Sequence, residues 1–102
     1  MAKKIAVIYY RAGHPVELCQ IEDTLQDMKH LVGGWIEHVS LPNGLHLWCN
    51  EEGKIHGLPI TAIVCGEPIA GNFFISRANE PDIASVQDGD MDLVLDMIIP
   101  VS

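Results

Sequence analysis

The dipeptide Asn43-Gly44 separates two runs of β-forming residues in WIEHVSLPNGLHLWCN, residues 35 to 50. Tight hairpin turns need positive φ at both central positions, and asparagine and glycine tolerate this conformation best. The sequence therefore predicts an antiparallel hairpin with a two-residue loop at this dipeptide. Such a loop would place Val39 opposite Trp48.

Patterns before the hairpin predict two strands and a helix. KIAVIYY, residues 4 to 10, and PVELCQI, residues 15 to 21, are rich in β-branched and aromatic side chains, as strands are. Apolar residues then recur at helical spacing, with Asp23 in the position of a capping residue and Gly33 as a left-handed helix stop. This helix would pack its apolar stripe on a sheet.

The sequence after the hairpin predicts the remaining strands and a second helix. Residues 55 to 68 are interrupted by prolines and glycines, which indicates irregular structure with a short strand. Residues 69 to 77 predict the last strand, and a C-terminal helix should begin at about Asp90. Its apolar residues through Ile99 cover too much of the helix for a single-faced surface helix, so the helix is either deeply buried or part of a subunit interface, and the interface is favoured. We expect one α+β domain spanning residues 1–102, with a mainly antiparallel sheet built from hairpins and a helix packed on one face.

Charge and composition exclude several classes of function. The chain has 14 acidic and 6 basic residues, a formal charge of −8, which repels a nucleic-acid backbone. No apolar run approaches the length of about 18 residues that spans a bilayer, so we expect a cytoplasmic protein with no membrane contact. The cysteines Cys19, Cys49 and Cys65 are too far apart for a CxxC motif, and reduced, mostly buried thiols are expected.

Two sequence blocks carry a family resemblance. LxxMxxLVGGWIE in residues 25 to 37, and NEEGKIHGLP in residues 50 to 59 followed by IAGNFFI, resemble a family of small proteins widespread in bacteriophages and bacterial mobile elements. Its members share VGG(Y/W)IE and NEEGKxxGLPxN blocks, and the likeness covers nearly the whole chain. The resemblance implies that the protein comes from a phage or a mobile element, but it implies no particular chemical reaction, because the family has no established one. Thr61 stands where the family usually has asparagine, although its hydroxyl can still make a polar contact.

The NEEGK segment admits a catalytic reading and two simpler ones. Glu51 and Glu52 could form an acid and base pair, but adjacent residues in an extended segment point to opposite sides. A turn in which one carboxylate caps backbone amides is favoured. In a third reading, Asn50 and Glu52 line a polar pocket, with Lys54 as the counter-charge.

Other candidate sites are weighed in the same way. The assumed hairpin register would place His38 beside Cys49 as a base and a nucleophile, but a packing pair in the sheet is favoured. The histidines lack zinc-binding spacing. DGDMD, residues 88 to 92, resembles a calcium loop only at its start, and its aspartates suit a helix N-terminus better. No metal and no cofactor are therefore expected.

Two functions remain for a chain without a catalytic constellation. The first is a non-enzymatic binding protein of phage or mobile-element origin, an anti-defence protein that sequesters a nucleotide-derived signal in pockets of a homo-oligomer. Arg11 and Arg77, each at a strand end, would clamp the phosphates if they converge. The other predicted ligand-binding residues are Asn50, Glu52, Lys54 and Thr61. The alternative is an acidic protein-interaction module that inhibits or regulates a host protein.

Overall fold

Two antiparallel sheets and two helices form the part of the chain that this computed structural model describes, residues 3–11, 13–53, 57–79 and 82–101. The elements in chain order are β1 (Lys4–Tyr10), β2 (Glu17–Glu22), α1 (Leu25–Val32), β3 (Ile36–Ser40), β4 (Leu45–Asn50), β5 (Ile60–Val64), β6 (Glu67–Ala70), β7 (Phe73–Asn79), β8 (Asp82–Ala84), α2 (Asp90–Met97) and β9 (Ile98–Pro100).

The larger sheet has the order β2-β1-β7-β4-β3, and β8 pairs with β7 outside this path. The smaller sheet has the order β6-β5-β9. Neighbouring strands are antiparallel in both sheets. The predicted α+β class, with a helix on the sheet and a C-terminal helix, is confirmed.

The larger sheet lies between two apolar layers. On one face, Val7 and Phe74 pack with Met28 and Val32 of α1. The opposite face packs against the smaller sheet and α2, through residues that include Ile8, Leu47, Ile75, Val64 and Val94. Successive residues of a strand point to opposite faces, so β1, β4 and β7 supply both layers. Each fully buried aliphatic or aromatic side chain contributes about 1.5–3 kcal/mol of transfer free energy.

The predicted hairpin forms, but its register differs by one residue from the prediction. Val39 pairs with Leu47, and Trp48 pairs with His38. The connection is longer than two residues, because the Leu41 amide donates to the Leu45 carbonyl at 2.9 Å across a short 3-10 turn. Both residues of the dipeptide still adopt positive φ, as the sequence predicted.

This register removes the suggested pairing of a thiol with a base. Cys49 lies opposite Glu37, whereas His38 lies opposite Trp48. Residues 38 and 49 therefore belong to opposite faces of the sheet. Of the three thiols expected to be mostly buried, Cys49 is buried, Cys19 is partly buried and Cys65 is exposed in the β5–β6 turn.

Two other predicted boundaries change. The side chain that caps α1 is Thr24, which accepts from the Asp27 amide at 3.2 Å, rather than Asp23. The predicted strand at 69 to 77 is divided at Gly71, where φ is 76° and the chain passes from one sheet to the other. The short strand predicted within residues 55 to 68 is present as β5 (Ile60–Val64).

The C-terminal helix begins at the predicted residue but ends early. Ile98 and Ile99 belong to β9 rather than to α2. Within α2, Val94 is fully buried, whereas Leu95 is 51% exposed. The subunit interface that the sequence predicted for this helix stays a prediction.

An ion pair between Arg77 and Asp90 connects α2 to the larger sheet. The Arg77 guanidinium donates to both carboxylate oxygens of Asp90, from Nε at 2.9 Å and from Nη2 at 2.6 Å. The Gln87 amide donates to the same carboxylate at 2.7 Å, and Arg77 Nη1 donates to the Asn43 carbonyl at 2.7 Å. Hydrogen bonds from Arg77 hold the pKa of the Asp90 carboxyl below its usual value, although burial acts in the opposite direction.

We predict that Asp90→Ala lowers the free energy of unfolding by about 2 kcal/mol at pH 7, because it removes hydrogen bonds to a charged acceptor. Urea denaturation measures this loss. A group with a lowered folded-state pKa contributes stability above its unfolded pKa, and this contribution disappears as the pH falls through the folded-state pKa. The difference between the variant and the wild type should therefore shrink below about pH 4.

Asp92→Ala is the matched control, since Asp92 lies in the same first turn but is exposed. Its effect should stay within about 0.5 kcal/mol. Equal losses for the two variants would contradict the role assigned to the ion pair.

Candidate ligand-binding site

The end of α1 meets the turn that follows β4, and Asn50 joins them. Its Nδ2 donates to the Val32 carbonyl at 3.3 Å, and its Oδ1 accepts from the Glu52 amide at 2.8 Å. The Glu51 amide donates to the Trp35 carbonyl at 2.8 Å. A helix leaves its last carbonyls without intrahelical partners, so Asn50 supplies one of the missing donors. The two sequence blocks that carry the family resemblance are thereby in direct contact.

Gly34 and Gly53 lie where the backbone of this junction approaches neighbouring residues closely. A Cβ on Gly34 would lie 2.9 Å from Asn50 Nδ2, and a Cβ on Gly53 would lie 3.3 Å from the Ala70 carbonyl oxygen. The first distance is shorter than nonbonded contacts allow. A side chain at position 34 would therefore displace the Asn50 amide, so glycine is favoured there by its neighbour and not by a left-handed backbone. Gly33, by contrast, has φ of 78° and ends the helix, as the sequence predicted.

A surface cleft opens beside this junction. It has a volume of about 330 Å³ and is lined by Val32, Gly33, Asn50, Leu58, Pro59, Thr61, Gly71 and Asn72. A second cleft of about 180 Å³ is lined by Gly33, Gly34, Trp35, Asn50 and Glu52. Gly33 and Asn50 line both. Of the candidate residues from the sequence, Asn50, Glu52 and Thr61 are thus brought together, and we call the two adjoining clefts the Asn50 cleft.

Thr61 shapes the wall of the Asn50 cleft. It is buried, and its hydroxyl donates to the Gly71 carbonyl at 2.6 Å. The Gly71 amide donates to the Pro59 carbonyl at 3.0 Å. A Cβ on Gly71 would lie 3.0 Å from Cδ1 of Leu58. The Thr61 hydroxyl therefore donates its hydrogen bond within the protein, and this bond joins β5 to the Gly71 segment in the wall of the cleft.

The arginines of the proposed phosphate clamp do not converge. Tyr10, next to Arg11, pairs with Phe73, and Arg77 lies four residues further along β7, which corresponds to about 13 Å. Arg11 Nη2 lies 3.8 Å from Glu17 Oε1 at the surface. Arg77 is bound to Asp90 instead. Neither lines the Asn50 cleft. Lys54, the predicted counter-charge, lies outside the described residues.

Sequence reasoning missed three side chains at this site. Trp35 is 56% exposed in the smaller cleft, and Lys29 Nζ lies 3.6 Å from the centroid of its indole ring. Asn72 lines the larger cleft and hydrogen-bonds Tyr9, whose hydroxyl donates to the Leu31 carbonyl at 2.8 Å. Burial raises the pKa of Tyr9, which keeps this donor protonated. For Trp35 the sequence did hold a signal, because the ring lies in the VGGWIE block and exposed aromatic residues also stack on ligands.

The described part of the chain was compared with the requirements of a metal site and of a membrane-spanning helix. There, no three histidine, cysteine, aspartate or glutamate residues are grouped so that they could hold a metal ion. Neither of the helices described above is long and apolar enough to cross a membrane.

Fold and cleft together define a small α+β protein with a surface cleft bordered by amide side chains and apolar walls. The chain belongs to the DUF3846 family, a domain of unknown function, whose family model matches residues 4–99. The match includes both sequence blocks that meet at Asn50. No curated protein and no solved structure matches the chain.

We predict that Gly34→Ala and Asn50→Ala each destabilise the protein, and that their effects are not additive. Asn50→Ala should cost about 1–2 kcal/mol, because it removes a partly buried and an exposed hydrogen bond and leaves the Val32 carbonyl unpaired. In the Asn50→Ala background the new Cβ at position 34 meets no amide, so Gly34→Ala should cost less there than in the wild type. Urea denaturation of the two single variants and the double variant measures the coupling.

Gln26→Ala is the control, since Gln26 is exposed on α1. It should add independently to either variant. Strict additivity of Gly34→Ala and Asn50→Ala would show that the two sites do not interact as the distances indicate.

Proposed function

We propose that this protein is a non-enzymatic binding protein that takes up a small ligand in the Asn50 cleft. The observation that carries this proposal is the composition of the larger cleft, where the Asn50 and Asn72 amides stand among Val32, Leu58 and Pro59. Ligand sites in proteins are concave, have volumes from about 300 Å³ and combine apolar walls with a few placed polar groups. The larger cleft meets the conditions of volume and lining, and it is shallow and open to solvent.

The proposed ligand is a nucleotide-derived signal. A planar base would fit between the apolar walls, and a carboxamide can both donate to and accept from the edge of a base. Lys29 Nζ covers one face of the Trp35 ring, and we propose that the other face of this exposed ring stacks with a base or sugar. The Lys29 ammonium beside that ring supplies a positive charge for a phosphate, in place of the two arginines that the sequence suggested.

The proposed setting follows from the sequence resemblance to proteins of bacteriophages and mobile elements. A phage protein that holds a host nucleotide signal would lower the concentration of that signal and so act against host defence. Such a role requires tight binding and slow release rather than turnover. We propose that the protein acts in the bacterial cytoplasm and that it is a homo-oligomer. Native mass spectrometry of the purified protein tests the oligomeric state.

We predict that a compound from a panel of nucleotides, cyclic nucleotides and nucleosides raises the melting temperature. A ligand at 100 times its Kd adds about 2.7 kcal/mol to the free energy of unfolding. Trp35→Ala and Lys29→Ala should each weaken binding about tenfold, since one aromatic or one charge-assisted contact is worth about 1–3 kcal/mol. Isothermal titration calorimetry measures the affinities.

Leu18→Ala and Lys4→Ala are the matched controls, because both residues are exposed on the β1–β2 hairpin away from the cleft. These variants should bind as the wild type does. If no compound of the panel shifts the melting temperature, the proposed ligand class is wrong. Consumption of a bound compound, followed by chromatography, would overturn the non-enzymatic role.

A further inference from the structure

Two histidines lie side by side on the β3–β4 hairpin. His38 pairs with Trp48 across the two strands, and His46 lies two residues before Trp48 in β4. Directly paired residues share a face of the sheet, as do alternate residues of one strand. All three side chains therefore lie on the face of the larger sheet that also packs α1. His38 is exposed and His46 is partly exposed, so solvent reaches the pair.

The observed register of the hairpin is what brings the two imidazoles together. With a two-residue loop at Asn43-Gly44, His38 would lie opposite Cys49 and therefore on the other face from His46. The shift of one residue places both rings on one face, where they are diagonal neighbours within reach of each other. Their ring centroids are 4.0 Å apart, and their planes are inclined at 45°. Spacing along the sequence does not reveal this pair.

The separation of the rings suits two ligands of one metal ion. A histidine nitrogen binds zinc at about 2.0–2.1 Å, so two imidazoles bound at right angles to one such ion have ring centroids about 4.5 Å apart. The rings of His38 and His46 therefore need to move apart by only about 0.5 Å. Rotation about the broad χ2 torsion of histidine provides this movement.

Trp48 forms a fixed wall beside the pair. Its ring centroid lies 5.0 Å from that of His38 and 6.2 Å from that of His46. Its Nε1 donates to Ser76 Oγ at 2.9 Å, and its ring stacks with Phe74, which is fully buried. Side chains on paired strands are held more precisely than those on loops. The two imidazoles would therefore lose little freedom when they bind an ion.

We propose that His38 and His46 form a binding site for a divalent transition-metal ion, and that the site prefers Cu²⁺. Imidazole nitrogens suit Cu²⁺, Ni²⁺ and Zn²⁺, and among these ions a given site binds Cu²⁺ most tightly. Mg²⁺ and Ca²⁺ require oxygen ligands and should not bind. The described residues offer the ion two protein ligands rather than the three or four of zinc enzymes and structural zinc sites, so water completes the coordination.

The metal site is separate from the Asn50 cleft. Neither histidine lines the cleft, and Asn50 lies four residues after His46 in β4, which corresponds to about 13 Å. Metal binding therefore goes beyond the proposed ligand binding and does not rest on it. Loss of either activity should leave the other unchanged.

The test follows the fluorescence of Trp48 during titration with the chlorides of Cu²⁺, Ni²⁺, Zn²⁺ and Mg²⁺ at about pH 7.5, where free imidazoles are neutral. Trp35→Phe leaves Trp48 as the reporter, and Cys65→Ser removes an exposed thiol that would also bind copper. Cu²⁺ should quench the fluorescence with one ion bound per chain. Absence of quenching by Cu²⁺, or equal quenching by Mg²⁺, would overturn the proposal.

Four single variants locate the ion. His38→Ala and His46→Ala should each weaken Cu²⁺ binding by about tenfold or more, since the ion loses one of its two protein ligands. His14→Ala and His30→Ala remove exposed histidines elsewhere on the surface and should change the affinity less than about twofold. Equal losses in all four variants would mean that copper binds to surface histidines in general, which contradicts the proposed site.

NMR spectra of the histidine rings in the unsubstituted protein supply the second measurement. Paramagnetic Cu²⁺, added well below one equivalent, should broaden the ring signals of His38 and His46 before those of His14 and His30. Lowering the pH below about 6 should release the ion, because the imidazoles become protonated. Earlier broadening at a histidine outside the pair, or one ion shared by two chains in native mass spectrometry, would contradict the assignment.

Discussion

Strand β7 is the element on which every other layer depends. It pairs with β1, β4 and β8, and Phe73, Phe74, Ile75 and Ser76 along it are all at most 1% exposed. A strand buried on both faces needs a nearly continuous apolar run, and FFI provides one. Phe74 packs toward α1 and Ile75 toward the smaller sheet. Arg77, near the end of the strand, then fixes α2 through Asp90.

The Asn50 cleft arises from the way in which α1 ends. The last carbonyls of a helix require donors, and the chain meets this need with a side chain from β4 instead of with solvent. Asn50 then holds the following turn against Gly34, and the segment that returns through Leu58 and Pro59 forms the opposite wall. One structural requirement thus produces both the contact between the sequence blocks and the opening beside it. A ligand there would contact groups that are already fixed in position, which lowers the entropic cost of binding.

The sequence predicted most of the helices and strands, but it predicted their register and their contacts with one another less well. The hairpin at Asn43-Gly44 was predicted correctly, yet its register was wrong by one residue, because a longer turn also satisfies the positive φ of both residues. That single shift separates His38 from Cys49 and removes a catalytic pairing. At the cleft, Asn50 lies beside Glu52 in the smaller opening and beside Thr61 in the larger one, and their role in ligand binding stays a prediction. Trp35 was not among the predicted ligand-binding residues, because its exposure depends on where α1 ends against the sheet.

The sequence by itself determined the α+β class, the stop at Gly33, the start of α2 at Asp90 and the total charge. These properties depend on residues close together in the chain, or on composition alone. Only the tertiary structure decided the place of β7 in the centre, the partnership of Arg77 with Asp90 and the separation of Arg11 from Arg77. It also decided that Asn50 completes α1. Each of these is a contact or a distance between segments far apart in the chain, which strand order and register set and which no local pattern encodes.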